Sequence, residues 1–213
     1  GVTEALDGTA DGAVIAVKPG DVPVAAEAIA RAGIGRVLSI AAGVRTTAVE
    51  TALGTDAAVV RAMPNTPALV RAGVAAIAAG RAAGAADLDW AESILGAVGT
   101  VVCVPEADLD AVTGLSGSGP AYLFLVAEAL IDAGVAVGLA RDVSVALTTQ
   151  LLVGSAALLA QSGESPDVLR QRVTSPGGTT AAGLQVLDAA GVTAAVRRAV
   201  IAATERSREL GAP

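Results

Sequence analysis

The feature that most constrains the fold is a change of pattern near Glu106. Before this residue, short β-branched runs alternate with stretches of helical spacing, an order that predicts a parallel sheet with helices on its faces. After Pro105, apolar residues recur only at helical spacing. We therefore predict an α/β chain with a sheet domain over residues 1–105 and an all-α domain over residues 106–213. The predicted strands are Ala13–Val17, Arg36–Ile40, Ala57–Met63, Gly73–Gly80 and Thr100–Val104.

Helices are predicted between these strands and throughout the second domain. Thr46 or Thr47 is a plausible helix cap, and a Ser-Gly-Ser-Gly turn precedes Pro120, which suits a first helical position. Three glycines are predicted to end helices, namely Gly134, Gly138 and Gly191. The predicted helices are Asp21–Ala32, Thr46–Leu53, Ala86–Val98, Asp108–Leu115, Pro120–Val137, Arg141–Gln161, Pro166–Val173, Thr180–Ala189 and Thr193–Leu210.

The chain is too apolar to leave all of its helices in water. Hydrophobic residues make up 53% of it and charged residues only 16%. The longest apolar stretch, residues 143–160, is interrupted by Thr148, Thr149, Gln150 and Ser155, so it predicts a buried helix rather than a membrane span. Obligate dimer interfaces resemble a domain core cut in half, and we place such an interface in the helical domain.

Charge and cysteine content exclude several classes of partner. The net charge is -7 and aromatic residues are 1% of the chain, so neither the positive patch nor the stacking rings of a nucleic-acid site is expected. The single cysteine, Cys103, lies in an apolar strand and predicts a buried small hydrophobe in a reducing cytoplasm. The start of the chain lacks the pattern of a secretory leader.

The chain has no histidine. This excludes Ser-His and Cys-His nucleophiles, histidine-ligated zinc and the commonest general base, and we predict no metal site. Hydride transfer needs none of these groups, because the cofactor carries the difficult step.

Two motifs follow predicted strands, where ligands of parallel sheets bind. In AVKPGD, Lys18 would meet a phosphate or a ribose, or it is a solvated lysine before a turn. In RAMPNTP, Asn65 and Thr66 would bond a ligand, or they satisfy the backbone of their own turn. The small residues of AAGV, from Ala41 to Val44, would permit close approach of a ring or a sugar.

Two glycine-rich segments precede predicted helices and offer backbone N–H groups to an anion. In TGLSGSGPAY, residues 113–122, a flexible turn between helices is an equally serious interpretation. In VTSPGGTT, residues 173–180, the glycines permit unusual backbone angles, and Thr179 and Thr180 add hydroxyl groups. We predict a carboxylate site at the second segment.

Together, in this order and over nearly the whole chain, these motifs resemble the pyrroline-5-carboxylate reductase family. The resemblance implies a Rossmann-like sheet domain followed by an all-α dimerisation domain. It implies reduction of the cyclic imine 1-pyrroline-5-carboxylate to L-proline with NADPH or NADH, the last step of proline synthesis. It also implies an active site at the interface of a homodimer, and dimers of this family commonly assemble into decamers.

The resemblance assigns roles to individual residues. Thr180 would be catalytic, through a hydrogen bond to the ring nitrogen, and protonation of the imine would involve Thr180, Glu106 or water. Met63–Thr66 would lie near the nicotinamide, and Arg172 would approach the cofactor from the partner subunit. The implied substrate-binding residues are Glu106, Ser175, Gly177, Gly178, Thr179 and Thr180. The implied cofactor-binding residues are Ala16, Val17, Lys18, Pro19, Ile40, Ala41, Ala42, Met63, Asn65 and Arg172.

One departure from the family pattern concerns the start of the chain. The family opens with a strand and a G-x-G-x-x-G turn that cradles the pyrophosphate, whereas this sequence opens with GVTEALDG. We expect an incomplete Rossmann-like domain that lacks about two βα units. The residue that selects NADP over NAD would belong to the absent part.

Two other functions compete with this reading. A Rossmann-plus-helical dehydrogenase acting on β-hydroxyacids usually carries a catalytic lysine in its second domain, and no lysine follows Lys18. A non-catalytic dimerising remnant, without a competent cofactor site, is the other alternative.

Overall fold

The computed structural model describes residues 10–54 and 56–211. The opening segment GVTEALDG lies outside the described residues, and so do the expectations attached to it. The described chain divides into two compact units, one of residues 10–120 together with residues 199–211, the other Ala121–Arg198. The predicted boundary near Glu106 stays a prediction.

A five-stranded sheet forms the centre of the first unit, and its strands lie side by side in chain order. Each predicted strand is present; the first four are one or two residues shorter than predicted, and the fifth is shifted by one residue toward the N-terminus. The strands are β1 Ala13–Ile15, β2 Arg36–Ser39, β3 Ala58–Met63, β4 Gly73–Ala79 and β5 Gly99–Cys103.

The sheet is mainly parallel, as predicted, but one of its four strand pairs is antiparallel. Strands β1, β2 and β3 run parallel, and so do β4 and β5, but β3 and β4 are antiparallel. The connection from β3 to β4 is residues 64–72, which hold only the 3₁₀ turn Thr66–Val70. A parallel return needs a crossover of a dozen or more residues, so a connection this short turns the chain back.

Helices cover both faces of the sheet. Val37 and Val59 pack with α1 Val22–Arg31 and α2 Thr46–Leu53, while Leu38 and Val60 pack on the other face with α3 Ala85–Leu95. Neighbouring residues of a strand point to opposite faces, which is why these strands read as continuous apolar runs.

The Ser-Gly-Ser-Gly segment is not the predicted turn. The backbone stays helical from α4 Leu109–Val112 through a π-helical turn, Thr113–Gly117, into α5 Gly119–Ala136. The Ser118 N–H donates to the Thr113 carbonyl at 2.8 Å, so the helix itself uses a backbone donor that was predicted for an anion. Single π-helical turns are frequent at functional sites.

The remaining helices match the predicted ones closely: α6 Arg141–Ser162, α7 Pro166–Arg172, α8 Thr179–Ala189 and α9 Val192–Leu210. Gly138 and Gly191 have φ of 102° and 70° and follow helices, as predicted. Gly134 does not end a helix. It lies within α5, where a Cβ would collide with the side chain of Ser144 on α6.

Two predictions of burial were wrong for the single chain. Leu147 and Leu151 on α6 are 58% and 54% exposed, so α6 is not a buried helix. Cys103 is exposed as well. By length and composition, segments Glu106–Ala136 and Arg141–Ser162 would both suffice to cross a membrane.

Candidate active site

The carboxyl ends of β1, β2 and β3 bring most of the predicted cofactor residues to one edge of the sheet. Ile15, Ser39 and Arg61 are register partners across these strands. The Ile40 N–H continues the ladder by donating to the Ile15 carbonyl at 3.0 Å. The predicted residues that end or follow the three strands at this edge are Ala16, Val17, Lys18, Pro19, Ile40, Ala41, Ala42, Met63 and Asn65.

The first of these segments is open to solvent. Ala16, Lys18 and Pro19 are exposed, and Pro19 begins a short 3₁₀ turn, Pro19–Asp21. Lys18 makes no ion pair with the described residues. Ala42, which follows β2, is also small and exposed.

Asn65 has a structural role that differs from both predicted roles, which were to bind a ligand or to satisfy the backbone of its own turn. Its Nδ2 donates to the Ser116 carbonyl at 3.1 Å, and its Oδ1 accepts from the Val74 N–H at 3.0 Å. The loop after β3 is thereby joined to β4 and to the π-helical turn. Met63 lies beside the same turn, since a Cβ at Gly117 would meet the end of its side chain.

Glu106 lies at the N-terminus of α2. Its Oε1 accepts from the Thr46 N–H at 2.7 Å and its Oε2 accepts from the Thr46 hydroxyl at 2.8 Å. Arg61 Nη1 donates to Oε1 at 3.3 Å. Burial by itself would raise the pKa of Glu106, but the two bonds from Thr46 and the Arg61 charge outweigh burial and hold this pKa below its usual range.

Sequence reasoning missed this cluster. Thr46 is not the side-chain cap that was predicted, because Arg45 occupies the cap position and makes no side-chain cap bond. Arg61 is 4% exposed. The signal was a lone arginine inside the apolar strand AVVRAM, since a buried charge needs a partner.

The glycine-rich loop before α8 belongs to the second unit. Gly177 has φ of 69°, a left-handed conformation that glycine adopts without strain. The Gly178 N–H donates to the Ser175 carbonyl at 3.0 Å, and Gly178 is the residue before Thr179, where α8 begins. The N–H groups of a first helical turn have no intrahelical acceptor and lie at the positive end of the helix dipole. Exposed hydroxyl groups of Thr179 and Thr180 accompany them.

Arg172 forms an ion pair with Glu164 inside the second unit, and its side chain remains 65% exposed. The second oxygen of Glu164, Oε2, is buried without a hydrogen-bond partner among the described residues. The predicted residues therefore fall into two sets. The sheet edge and Glu106 lie in the first unit, while Arg172 and Ser175–Thr180 lie in the second.

No cluster of three potential metal ligands of the His, Cys, Asp or Glu type occurs in the described part of the chain.

Comparison with known proteins gives one consistent result. A family model described as pyrroline-5-carboxylate reductase dimerisation matches residues 106–210. A pyrroline-5-carboxylate reductase of Synechocystis is 49% identical over 82% of this chain and 65% of the relative. One of Mycobacterium leprae is 46% identical over 98% of this chain and 79% of the relative. The chain thus spans about two thirds to four fifths of these relatives.

Solved structures agree. The chain superposes on a pyrroline-5-carboxylate reductase from Coxiella burnetii with a TM-score of 0.91 and 39% identity, covering 96% of this chain and 77% of that one. For a pyrroline carboxylate reductase of Plasmodium falciparum with NADP bound, the TM-score is 0.86 and the identity 34%, over 95% of this chain and 78% of that one.

Proposed function

The chain belongs to the pyrroline-5-carboxylate reductase family, the oxidoreductases that reduce 1-pyrroline-5-carboxylate to L-proline, and we propose that it carries out this reaction as a cytoplasmic homodimer with NADPH as the hydride donor. The observation that carries the proposal is the glycine-rich loop that opens α8, because it presents backbone N–H groups and hydroxyl groups where a substrate carboxylate can bind.

The substrate carboxylate is held by Ser175, Gly177, Gly178 and the first turn of α8. Fixing the carboxylate fixes the face of the five-membered ring. Orientation of this kind contributes several kcal/mol to barrier lowering in well-positioned reactions.

Thr180 supplies a hydroxyl group to the ring nitrogen. An imine accepts hydride at carbon more readily once its nitrogen is protonated, so a donor at this atom favours reaction. The substrate arrives as the iminium or takes its proton in the site, from Thr180 or water, because the lowered pKa of Glu106 keeps that carboxyl group ionised.

The nucleotide binds at the carboxyl edge of β1, β2 and β3. When bound, it supplies the hydride. The chain contributes small residues at Ala16 and Ala42, the charge of Lys18 and the side chain of Met63 for the nicotinamide. Arg172 approaches a nucleotide from the partner subunit. NADP in the related Plasmodium falciparum structure supports the choice of NADPH.

The homodimer accounts for the apolar surface of the helical part. Large side chains of α5 and α6 are exposed in the single chain, among them Leu123, Phe124, Leu125, Leu147 and Leu151. The match of residues 106–210 to a dimerisation family shows that oligomerisation is a property of this segment.

Activity is tested with the purified complete gene product. NADPH absorbance should fall only after pyrroline-5-carboxylate is added, and L-proline should appear in equal amount. Absence of turnover would contradict the proposal. A stable dimer that binds no nucleotide would instead favour the non-catalytic alternative.

Thr180→Ala tests the substrate site. Loss of a hydrogen bond to a charged substrate corresponds to about 1.5 kcal/mol, so kcat/KM for pyrroline-5-carboxylate should fall about tenfold. The matched control is Thr193→Ala, an exposed threonine of α9 to which no role is assigned. Equal kinetics for the two variants would remove Thr180 from the site.

A further inference from the structure

The loop of residues 40–45 joins β2 to α2 at the sheet edge to which the nucleotide is assigned. Its start is fixed by the bond from the Ile40 N–H to the Ile15 carbonyl, and by Ala41, which is buried. Five residues after Ala41, the chain enters α2 at Thr46. The contacts that hold residues 42–45 therefore determine the shape of the sheet edge to which the nucleotide is assigned.

The C-terminal end of α9 lies against the middle of this loop. Gly43 has φ of 75°, so the loop turns there in a conformation that favours glycine. A Cβ at Gly43 would lie 3.7 Å from the backbone of Leu210, and a Cβ at Gly211 would lie 2.8 Å from the Gly43 carbonyl oxygen. The two segments are therefore in contact at Gly43, and a side chain at Gly211 would collide with the loop.

The end of the loop is held by Glu106. Arg45, at the cap position of α2, makes no side-chain cap bond, so the helix start is open to another acceptor. The Glu106 carboxylate takes this place, with one oxygen on the Thr46 N–H and the other on the Thr46 hydroxyl. A carboxylate at a helix N-terminus is favoured both by hydrogen bonding and by the helix dipole.

Arg61 fixes the carboxylate from the other side. It lies on β3, in register with Ser39 at the end of β2, and its guanidinium group is buried. Glu106 thus bridges the strand next to the loop and the helix after it.

We propose that Glu106 is a positioning residue for the nucleotide: by capping α2 at Thr46 it fixes the loop of residues 40–45 in the form that binds NADPH. This inference rests on the proposed function. It differs from the role predicted from the sequence, in which Glu106 contacts the imine side of the substrate. Both carboxylate oxygens already accept hydrogen bonds from Thr46, which favours the positioning role.

The experiment compares Thr46→Val, Glu106→Ala and Glu106→Gln with the wild-type protein. The Kd of NADPH is measured by calorimetry, and KM is measured separately for NADPH and for pyrroline-5-carboxylate. Thr46→Val removes only the hydroxyl group and does not touch the carboxylate, so it remains informative if a Glu106 variant fails to fold. Thr46→Ser keeps the hydroxyl group and is the matched control.

Thr46→Val and Glu106→Ala should each raise the Kd and the KM for NADPH about fivefold. This change is equivalent to about 1 kcal/mol, the free energy typically lost with a helix cap. The KM for pyrroline-5-carboxylate should change less than about twofold. Glu106→Gln, which keeps an acceptor for Thr46, should have a smaller effect than Glu106→Ala. Thr46→Ser should bind NADPH like the wild-type protein.

Two results would overturn the inference. A raised KM for pyrroline-5-carboxylate with unchanged NADPH binding would place Glu106 at the substrate, and unchanged binding of both would leave it a structural residue only. Failure of the wild-type protein to bind NADPH contradicts the proposed function itself, and it is recognised before any substitution is made.

Discussion

At the scale of single residues, Arg61 explains why Glu106 lies where it does. A guanidinium group inside a sheet must be paired, because an unpaired buried charge costs several kcal/mol. Glu106 is the carboxylate that pairs with it, at 3.3 Å. The same carboxylate completes the start of α2, so one side chain serves two elements.

The lowered pKa of Glu106 predicts a specific dependence of stability on pH. A carboxyl group whose pKa is lower in the folded chain than in the unfolded chain, where it is about 4.3, stabilises the fold above that value. As the pH falls through this window, the unfolded chain binds the proton first and the free energy of unfolding decreases. Its contribution is lost once the pH passes below the folded pKa.

We therefore expect Glu106→Gln to have a flatter stability profile than the wild-type protein as the pH falls from about 5 to about 3. Urea unfolding at a series of pH values measures the slope. Glu27→Gln is the control, since Glu27 is an exposed carboxylate of α1 whose ion pair with Arg31 is also exposed. If Glu106→Gln and Glu27→Gln have the same slope, the Glu106 bonds do not stabilise the fold.

At the scale of elements, α9 approaches the helical segment after β5 closely, and Gly114 makes this possible. A Cβ there would collide with the hydroxyl group of Thr204 and lie 2.7 Å from the Val200 carbonyl oxygen. One turn further along α9, the Ser207 hydroxyl donates to Asp110 Oδ1 at 2.7 Å. Gly114, which lies within the predicted helix Asp108–Leu115, is a contact point between two helices.

Gly114→Ala should destabilise the protein by about 1–3 kcal/mol, because the added methyl group overpacks a filled contact. Gly96→Ala is the matched control. Gly96 is exposed, has φ of -60° and has open space where a Cβ would lie. Alanine fits such a site and should stabilise the fold by about 0.4–1 kcal/mol. Denaturant unfolding measures the free energy of unfolding of both variants. An unchanged free energy of unfolding for Gly114→Ala would contradict the tight contact.

These elements also show how far sequence reasoning extends. Local patterns placed the strands and helices, because apolar spacing and stop residues lie within each segment. The direction of β4 depends on how long the connection of residues 64–72 is. The pattern of apolar residues within a strand carries no information about the length of the connection before it. Gly134 was misread because a glycine that admits a neighbouring helix looks like a glycine that ends one. The SPGGTT loop was recognisable because its residues are consecutive, whereas Thr46, Arg61 and Glu106 meet only in the fold.

At the scale of the whole molecule, the segment that matches the dimerisation family also contacts the chain around the loop of residues 40–45 at both of its ends. The matched segment, residues 106–210, begins at the carboxylate that caps α2 and ends at Leu210 against Gly43. Both ends of this segment therefore hold the loop of residues 40–45. A change that displaces either end should alter nucleotide binding without touching a nucleotide contact.

The exposed apolar surface of α6 carries the last prediction. Leu147 and Leu151 are four residues apart, so they share one helix face, and leaving two such side chains in water costs about 3–6 kcal/mol. Replacing both with aspartate should halve the mass of the particle measured by light scattering, because two carboxylates cannot be buried in an apolar interface. Thr51→Asp, on the exposed side of α2, adds charge away from the helical part and should leave the mass unchanged. An unchanged mass for the double variant would exclude this face of α6 from the homodimer interface.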